Sequence, residues 1–203
     1  MASIIEKLKK NSTIPLTEVL SDSQFFGDTD IVTTDVPMIN VALSGSVEGG
    51  ITPGLTVLAG PSKHFKTSFA LKMASSYLKN KKDSVLLFYD SEFGSPQSYF
   101  EQFDIPMDRV LHTPITNVEE LKFDLIKVID SIGNLASKKE LEDALSEKSV
   151  ADMSRAKALK GLFRMSTPYL KMKNIPLIAV NHTYKEIGLF PKDVVGGGTG
   201  IYY

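Results

Sequence analysis

The chain has 203 residues, no cysteine, 42% hydrophobic and 23% charged residues, and a formal net charge of −1 at pH 7. That composition is ordinary for a folded domain and excludes disulfides, thiolate zinc sites and disordered or collagen-like chains. The longest apolar runs, Val85–Tyr89 and Leu177–Val180, hold five and four residues, too few to cross a bilayer.

The near-neutral balance argues against a globally basic nucleic-acid binder but leaves local basic patches open. The opening stretch MASIIEKLKK lacks the apolar region and cleavage site of a secretory signal, so a cytoplasmic location is expected. Residues 1–35 read as a separate N-terminal arm. Ile4, Ile5 and Leu8 share one face of a short helix, which Asn11-Ser12-Thr13 and Pro15 end. Phe25-Phe26 follows in a polar setting, either packed on the chain's own body or offered to a neighbour. Residues 36–203 are expected to form the main domain. Gly45, Gly49, Gly50 and Pro53-Gly54 mark a turn-rich stretch. Leu55–Ala59 is a short buried strand, 67–80 an amphipathic helix bearing Phe69, Leu71, Met73 and Leu78, and 84–89 a second buried strand. A helix over 96–103 and a strand at 110–112 follow. Next come a helix from 118 to about 125, the apolar pair Val128-Ile129 before Asp130, a mostly helical stretch over 141–169, and a last strand at 176–180. Strands alternating with helices predict an α/β fold with a parallel sheet and right-handed crossovers.

The most informative stretch is Gly60-Pro61-Ser62-Lys63-His64-Phe65-Lys66-Thr67, between a strand and a helix. That is the context of a phosphate-binding loop, in which backbone N–H groups and a helix N-terminus surround a phosphate. Lys66 would reach the β- and γ-phosphates, and the Thr67 hydroxyl would ligate Mg²⁺. The pattern G-x-x-x-x-G-K-[ST] fails at Phe65, where glycine's tolerance of positive φ is expected. Two acidic groups stand at strand ends, where parallel sheets bind ligands: Asp90 and Glu92 after VLLFY, and Asp130 after Val128-Ile129. One carboxylate in the Mg²⁺ shell and one orienting water would serve phosphoryl transfer, roles open to Asp130 and Glu92. Each acid taken alone could equally be a helix cap or turn residue.

GGITPGLTVLAGPSKHFKTSFALKMASSYL, LLFYDSEFGSPQSYF, IDSIGNLASKKE, IAVNHTY and GGGTG occur in the order seen in RecA-type recombinases. The chain resembles that family, and within it the UvsX recombinases of T-even-like phages, where Phe65 also has its counterpart. The resemblance implies a RecA-like P-loop NTPase core, with a central mostly parallel sheet flanked by helices. The implied activity is that of an ATP- and Mg²⁺-dependent, DNA-stimulated ATPase in the host cytoplasm. Such a protein forms filaments on single-stranded DNA, pairs it with homologous double-stranded DNA, and works with a single-strand-binding protein and a mediator. Carried over, Gly60 to Thr67 bind the phosphates, Glu92 activates water, and Asp130 joins Thr67 as the metal-binding acid. Tyr99 takes the place of an aromatic stacked on adenine, and His182 after Asn181 that of the γ-phosphate sensor. DNA contacts fall on two loops. The first lies around 138–154 and leads into Arg155, Lys157 and Lys160. The second, 183–200, has no regular pattern and contains Lys185, Phe190, Lys192 and Gly196-Gly197-Gly198. Its lysines would position DNA phosphates, and Phe190 would wedge between bases. In the resemblance, residues 1–35 serve oligomerisation.

Two departures from the family pattern stand out. The sequence stops at Tyr203, where family members continue, so the core is expected to be C-terminally truncated. Only 14 residues run from Asn117 to Asp130, against 25 from Lys66 to Asp90. A crossover of at least ~10–12 residues plus a strand of ~5 barely fits there, which indicates an internal shortening of roughly a dozen residues. Two other functions remain open: a different RecA-fold ATPase, such as a ring helicase or clock-type ATPase, and a non-catalytic piece that docks on intact filaments.

Overall fold

A computed structural model describes residues 3–14, 17–23, 30–131, 155–185 and 192–195. The described residues hold five strands: β1 (Gly54–Gly60), β2 (Leu86–Asp90), β3 (Val110–Pro114), β4 (Pro176–Lys185) and β5 (Asp193–Val195). Six α-helices accompany them: α1 (Ile4–Asn11), α2 (Pro37–Ser44), α3 (Lys66–Asn80), α4 (Gln97–Glu101), α5 (Val118–Ser131) and α6 (Arg155–Met172). β1 pairs with β4 in parallel, from Gly54 opposite Pro176 to Gly60 opposite His182. β2 pairs with β3 in parallel, from Leu86 opposite Val110 to Asp90 opposite Pro114. The expected parallel α/β pattern is therefore present. The described strands nonetheless fall into two sheets, β1-β4-β5 and β2-β3, rather than one.

Helix α3 couples the two sheets because its apolar residues cover more than one stripe. Leu71, Ala74 and Leu78, at helical spacing, pack with Phe100, Ile105, Leu86 and Phe88 on the β2–β3 side. Met73 packs with Val32, Ile51, Leu58 and Ile178 on the β1–β4 side. Arg109 fastens the far end of this layer. Its guanidinium donates to the carbonyl oxygens of Leu78 (3.1 Å), Lys81 (2.7 Å) and Ser84 (2.6 Å). A cation at the Leu78 and Lys81 carbonyls, at the C-terminal end of α3, also complements the helix dipole. A third cluster unites α5 and α6 through Leu125, Leu162 and Leu170, with Tyr89 and Leu177 against it.

The N-terminal helix forms as its sequence predicts. Ser3 and Glu6 make a reciprocal capping box, and Lys9 and Lys10 occupy the last turn. Its apolar residues Ile4, Ile5 and Leu8 are exposed. Residues 30–35 at the end of the expected arm are built into the body: Val32 bridges to Ile51, and Asp35 pairs with Lys72 of α3 at 2.9 Å. Phe25-Phe26 lies outside the described residues.

Two expectations are corrected. Val128-Ile129 does not form a strand before Asp130. All three residues belong to α5, which continues to Ser131. The apolar pair fits the helical repeat started by Leu121 and Leu125, and the segment holds too few residues for a turn and a strand after the helix. Residues 183–200 are not without regular structure either. β4 runs on to Lys185, and β5 returns antiparallel, with Thr183 opposite Val195 and Lys185 opposite Asp193. Alternating Asn181-His182-Thr183-Tyr184 and the pair Val194-Val195 are compatible with such a ladder.

Candidate nucleotide-binding site

The site is assembled where β1 ends. The chain leaves the strand at Gly60, crosses 61–65, and enters α3 at Lys66. Lys63 and Phe65 adopt left-handed backbone conformations, with φ of 61° and 54°. Phe65 therefore occupies the conformation for which glycine is usual, while its ring stays 75% exposed. Left-handed residues in such loops let successive N–H groups face one anion. His64 closes on the loop itself, with Nδ1 2.8 Å from the Ser62 carbonyl oxygen.

Lys66 is 8% exposed, and its Nζ donates to the Pro61 carbonyl oxygen at 2.6 Å. Nζ also lies 3.4 Å from His182 Nδ1. The other ring nitrogen, Nε2, is 3.0 Å from Glu92 Oε1. An ammonium group can only donate, so Nδ1 accepts; in the neutral ring the proton then sits on Nε2 and is donated to Glu92. Three expected site residues, from α3, β4 and the turn after β2, thus meet in one hydrogen-bonded series, Lys66–His182–Glu92. The pairing register decides this: Gly60 opposite His182 places the sensor position beside the phosphate loop.

Asp90 holds the turn that presents Glu92. It is buried, and its Oδ1 accepts the backbone N–H groups of Glu92 (3.0 Å) and Phe93 (2.9 Å). Its Oδ2 faces His112 Nε2 at 3.4 Å. Side-chain capping of two following amides is ordinary aspartate chemistry, and the sequence offered that reading. The partnership with His112 was not legible, because it depends on the β2–β3 register. Tyr99 reaches the first turn of α3, where its hydroxyl hydrogen-bonds the Ser68 hydroxyl. Its ring meets Phe103 edge-on at 5.5 Å. No local motif pointed to Ser68.

The loop residues fit a phosphate: a helix N-terminus, a buried ammonium group and left-handed loop residues converge on one place. The fit to Mg²⁺ is incomplete. Thr67 stands in the first turn of α3, as a hydroxyl ligand would require. Asp130, expected to supply the acidic ligand from a strand end, lies in the last turn of α5 instead. Among the described residues, no group of three His, Asp or Glu stands close enough to hold a metal.

Of the expected DNA contacts, Arg155 and Lys157 lie in the first turn of α6, and Lys160 is exposed on the next. Lys185 and Lys192 are exposed and lie at the end of the β4–β5 pair where the chain passes from one strand to the other. Phe190 and Gly196-Gly197-Gly198 lie outside the described residues, as does 138–154.

No family model matches the chain. It is 50% identical over 216 residues to the recombination and repair protein of Enterobacteria phage T4, covering 100% of this chain and 55% of that protein. It is 29% identical over 173 residues to the RecA protein of Sulfurimonas denitrificans, covering 76% of this chain and 48% of the relative. It is 24% identical over 191 residues to the RecA protein of Rickettsia massiliae, covering 87% and 53%. The chain spans about half the length of the curated relatives it matches. By sequence the chain is a homologue, along its whole length, of the T4 recombination and repair protein, and at lower identity of RecA proteins.

Proposed function

We propose that this chain is the nucleotide-binding core of a recombinase that binds ATP, assembles as filaments on single-stranded DNA and pairs that strand with a homologous duplex. The observation that carries the reading is the convergence of Lys66, His182 and Glu92 at a strand–loop–helix phosphate site in a homologue of a recombination protein. The loop 60–67 surrounds the phosphates, and Lys66 turns from the Pro61 carbonyl oxygen to them. His182 then loses its donor at Nδ1 and reports the change to Glu92 on one side and to the β4–β5 pair on the other. In a complete site Glu92 is the carboxylate placed to orient water. Tyr99 is the platform for adenine.

DNA is held without reading its sequence, through phosphate contacts from Arg155, Lys157 and Lys160 on α6 and Lys185 and Lys192 on the β4–β5 pair. The exposed apolar face of α1 serves self-association. The test is fluorescence anisotropy of a labelled single-stranded oligonucleotide titrated with the full chain, with and without ATP. ATP is expected to tighten binding. Binding of equal strength without nucleotide would refute the link between the two sites.

A further inference from the structure

Helix α5 separates this chain from a hydrolysing phosphate site. The helix starts at the edge where β2 and β3 end: Ile115 N–H donates to the Asp90 carbonyl oxygen at 2.9 Å, and the Asn117 side chain accepts from Glu120 N–H at 2.8 Å. It then runs unbroken from Val118 to Ser131. Asp130 stands twelve residues beyond Val118, which at 1.5 Å per residue is about 18 Å along the axis. A strand that brought Asp130 back to the loop edge would need a turn and about five further residues after the helix. Among the described residues no ladder joins β1-β4-β5 to β2-β3. The T4 relative is longer over the same match. Its identity to this chain is counted over 216 residues, whereas this chain has 203, so about thirteen positions of the relative have no counterpart here. Thirteen residues are enough for a helix end, a turn and most of a strand.

We propose that an internal shortening has removed the strand that would deliver Asp130 to the phosphates, so that this chain binds nucleoside triphosphate without an acidic magnesium ligand and does not hydrolyse it. Magnesium in phosphate sites is held by one or two carboxylates together with the phosphates. Of the other acids at the strand ends, Asp90 is engaged by the Glu92 and Phe93 amides and faces His112, and Glu92 is engaged by His182. Bound ATP is then a lasting ligand that favours the assembled state by mass action, without a built-in release step.

The inference rests on the phosphate-loop reading, and the experiment keeps the two apart. The chain has no cysteine, so Glu119→Cys and Asp130→Cys accept spin labels at those two positions alone. A continuous helix gives a label separation of about 17 Å, from eleven residues at 1.5 Å each. Labels closer than about 10 Å, as a returning strand would place them, overturn the proposal. In parallel, ATP affinity of the full chain is measured with Mg²⁺ and with a chelator. Less than a threefold difference and no phosphate release above that of Lys66→Ala are expected. Insertion of a turn and a strand of about five residues ahead of Asp130 should give at least a tenfold gain with Mg²⁺, which Asp130→Asn then removes. A tenfold Mg²⁺ gain in the uninserted chain that Asp130→Asn abolishes would overturn the proposal. Failure to bind ATP with or without metal would overturn the phosphate-loop reading, and this inference with it.

Discussion

Lys66→Met is the sharpest perturbation of the phosphate loop, because it keeps the aliphatic stem and removes only the charge. The stem matters: Cδ and Cγ of Lys66 lie 3.7 and 3.9 Å from where a Cβ on Gly60 would be. What is removed is the ammonium, now donating to Pro61 and placed to donate to a phosphate. A hydrogen bond from a charged donor contributes about 1.5–3 kcal/mol, so ATP binding should weaken about 10- to 150-fold. The folded chain should barely notice. It loses the bond to the Pro61 carbonyl and the longer one to His182 Nδ1 but is relieved of a charge that is 8% exposed, a net cost of about 1 kcal/mol. For a chain of this size that keeps the change in Tm within about 4 °C. Isothermal titration with ATP and a thermal melt on the same samples separate the two effects. ATP binding within threefold of the unmodified chain, with the fold intact, would refute the assignment of Lys66 and of the loop.

Arg109→Ala removes a fork that holds three carbonyls, and should cost about 2–4 kcal/mol, read as a fall in Tm of roughly 4–16 °C. Arg109→Lys should recover less than half of that loss, because an ammonium cannot span the same set; full recovery would refute the fork argument. Tyr89→Phe deletes a 2.7 Å hydrogen bond to Asp124 and should cost about 1 kcal/mol in urea unfolding. Burial, then the Asp124 carboxylate, hold the Tyr89 phenol protonated far above its ordinary range. The native state therefore keeps a proton that the unfolded chain releases, and stability falls as pH rises beyond about 10. Tyr89→Phe should flatten that alkaline slope. Replacing Lys185 and Lys192 together by Ala should reduce the salt dependence of single-stranded DNA binding by about 1.4 in log–log slope, about 0.7 for each phosphate that is no longer neutralised. An unchanged slope would move the DNA-binding surface elsewhere.

The phosphate loop was readable because everything it needs is local. A strand, here half-buried rather than buried as expected, the eight residues Gly60–Thr67 and a helix start lie within one stretch of chain, so spacing alone defines the chemistry. The same holds for the capped N-terminal helix. The shortage of residues before Asp130 was also visible by counting, and α5 shows its consequence. With too little chain for turn and strand, Val128 and Ile129 complete a helix already favoured by Leu121 and Leu125. The β4–β5 pairing was missed because its antiparallel partner follows a stretch in which no periodicity marks a turn.

What the sequence determined by itself is a set of groups and their order: Gly60 to Thr67, then Glu92, then His182. Only the tertiary structure decided which of them touch. Parallel pairing of β1 with β4 carries His182 across 116 positions to Lys66, and the Asp90 turn swings Glu92 to the ring's other nitrogen. It likewise decided that Asp130 stays apart. Whether a short apolar pair becomes strand or helix depends on the chain available to reach the sheet and on the neighbours that cover it, and no residue carries either fact within itself.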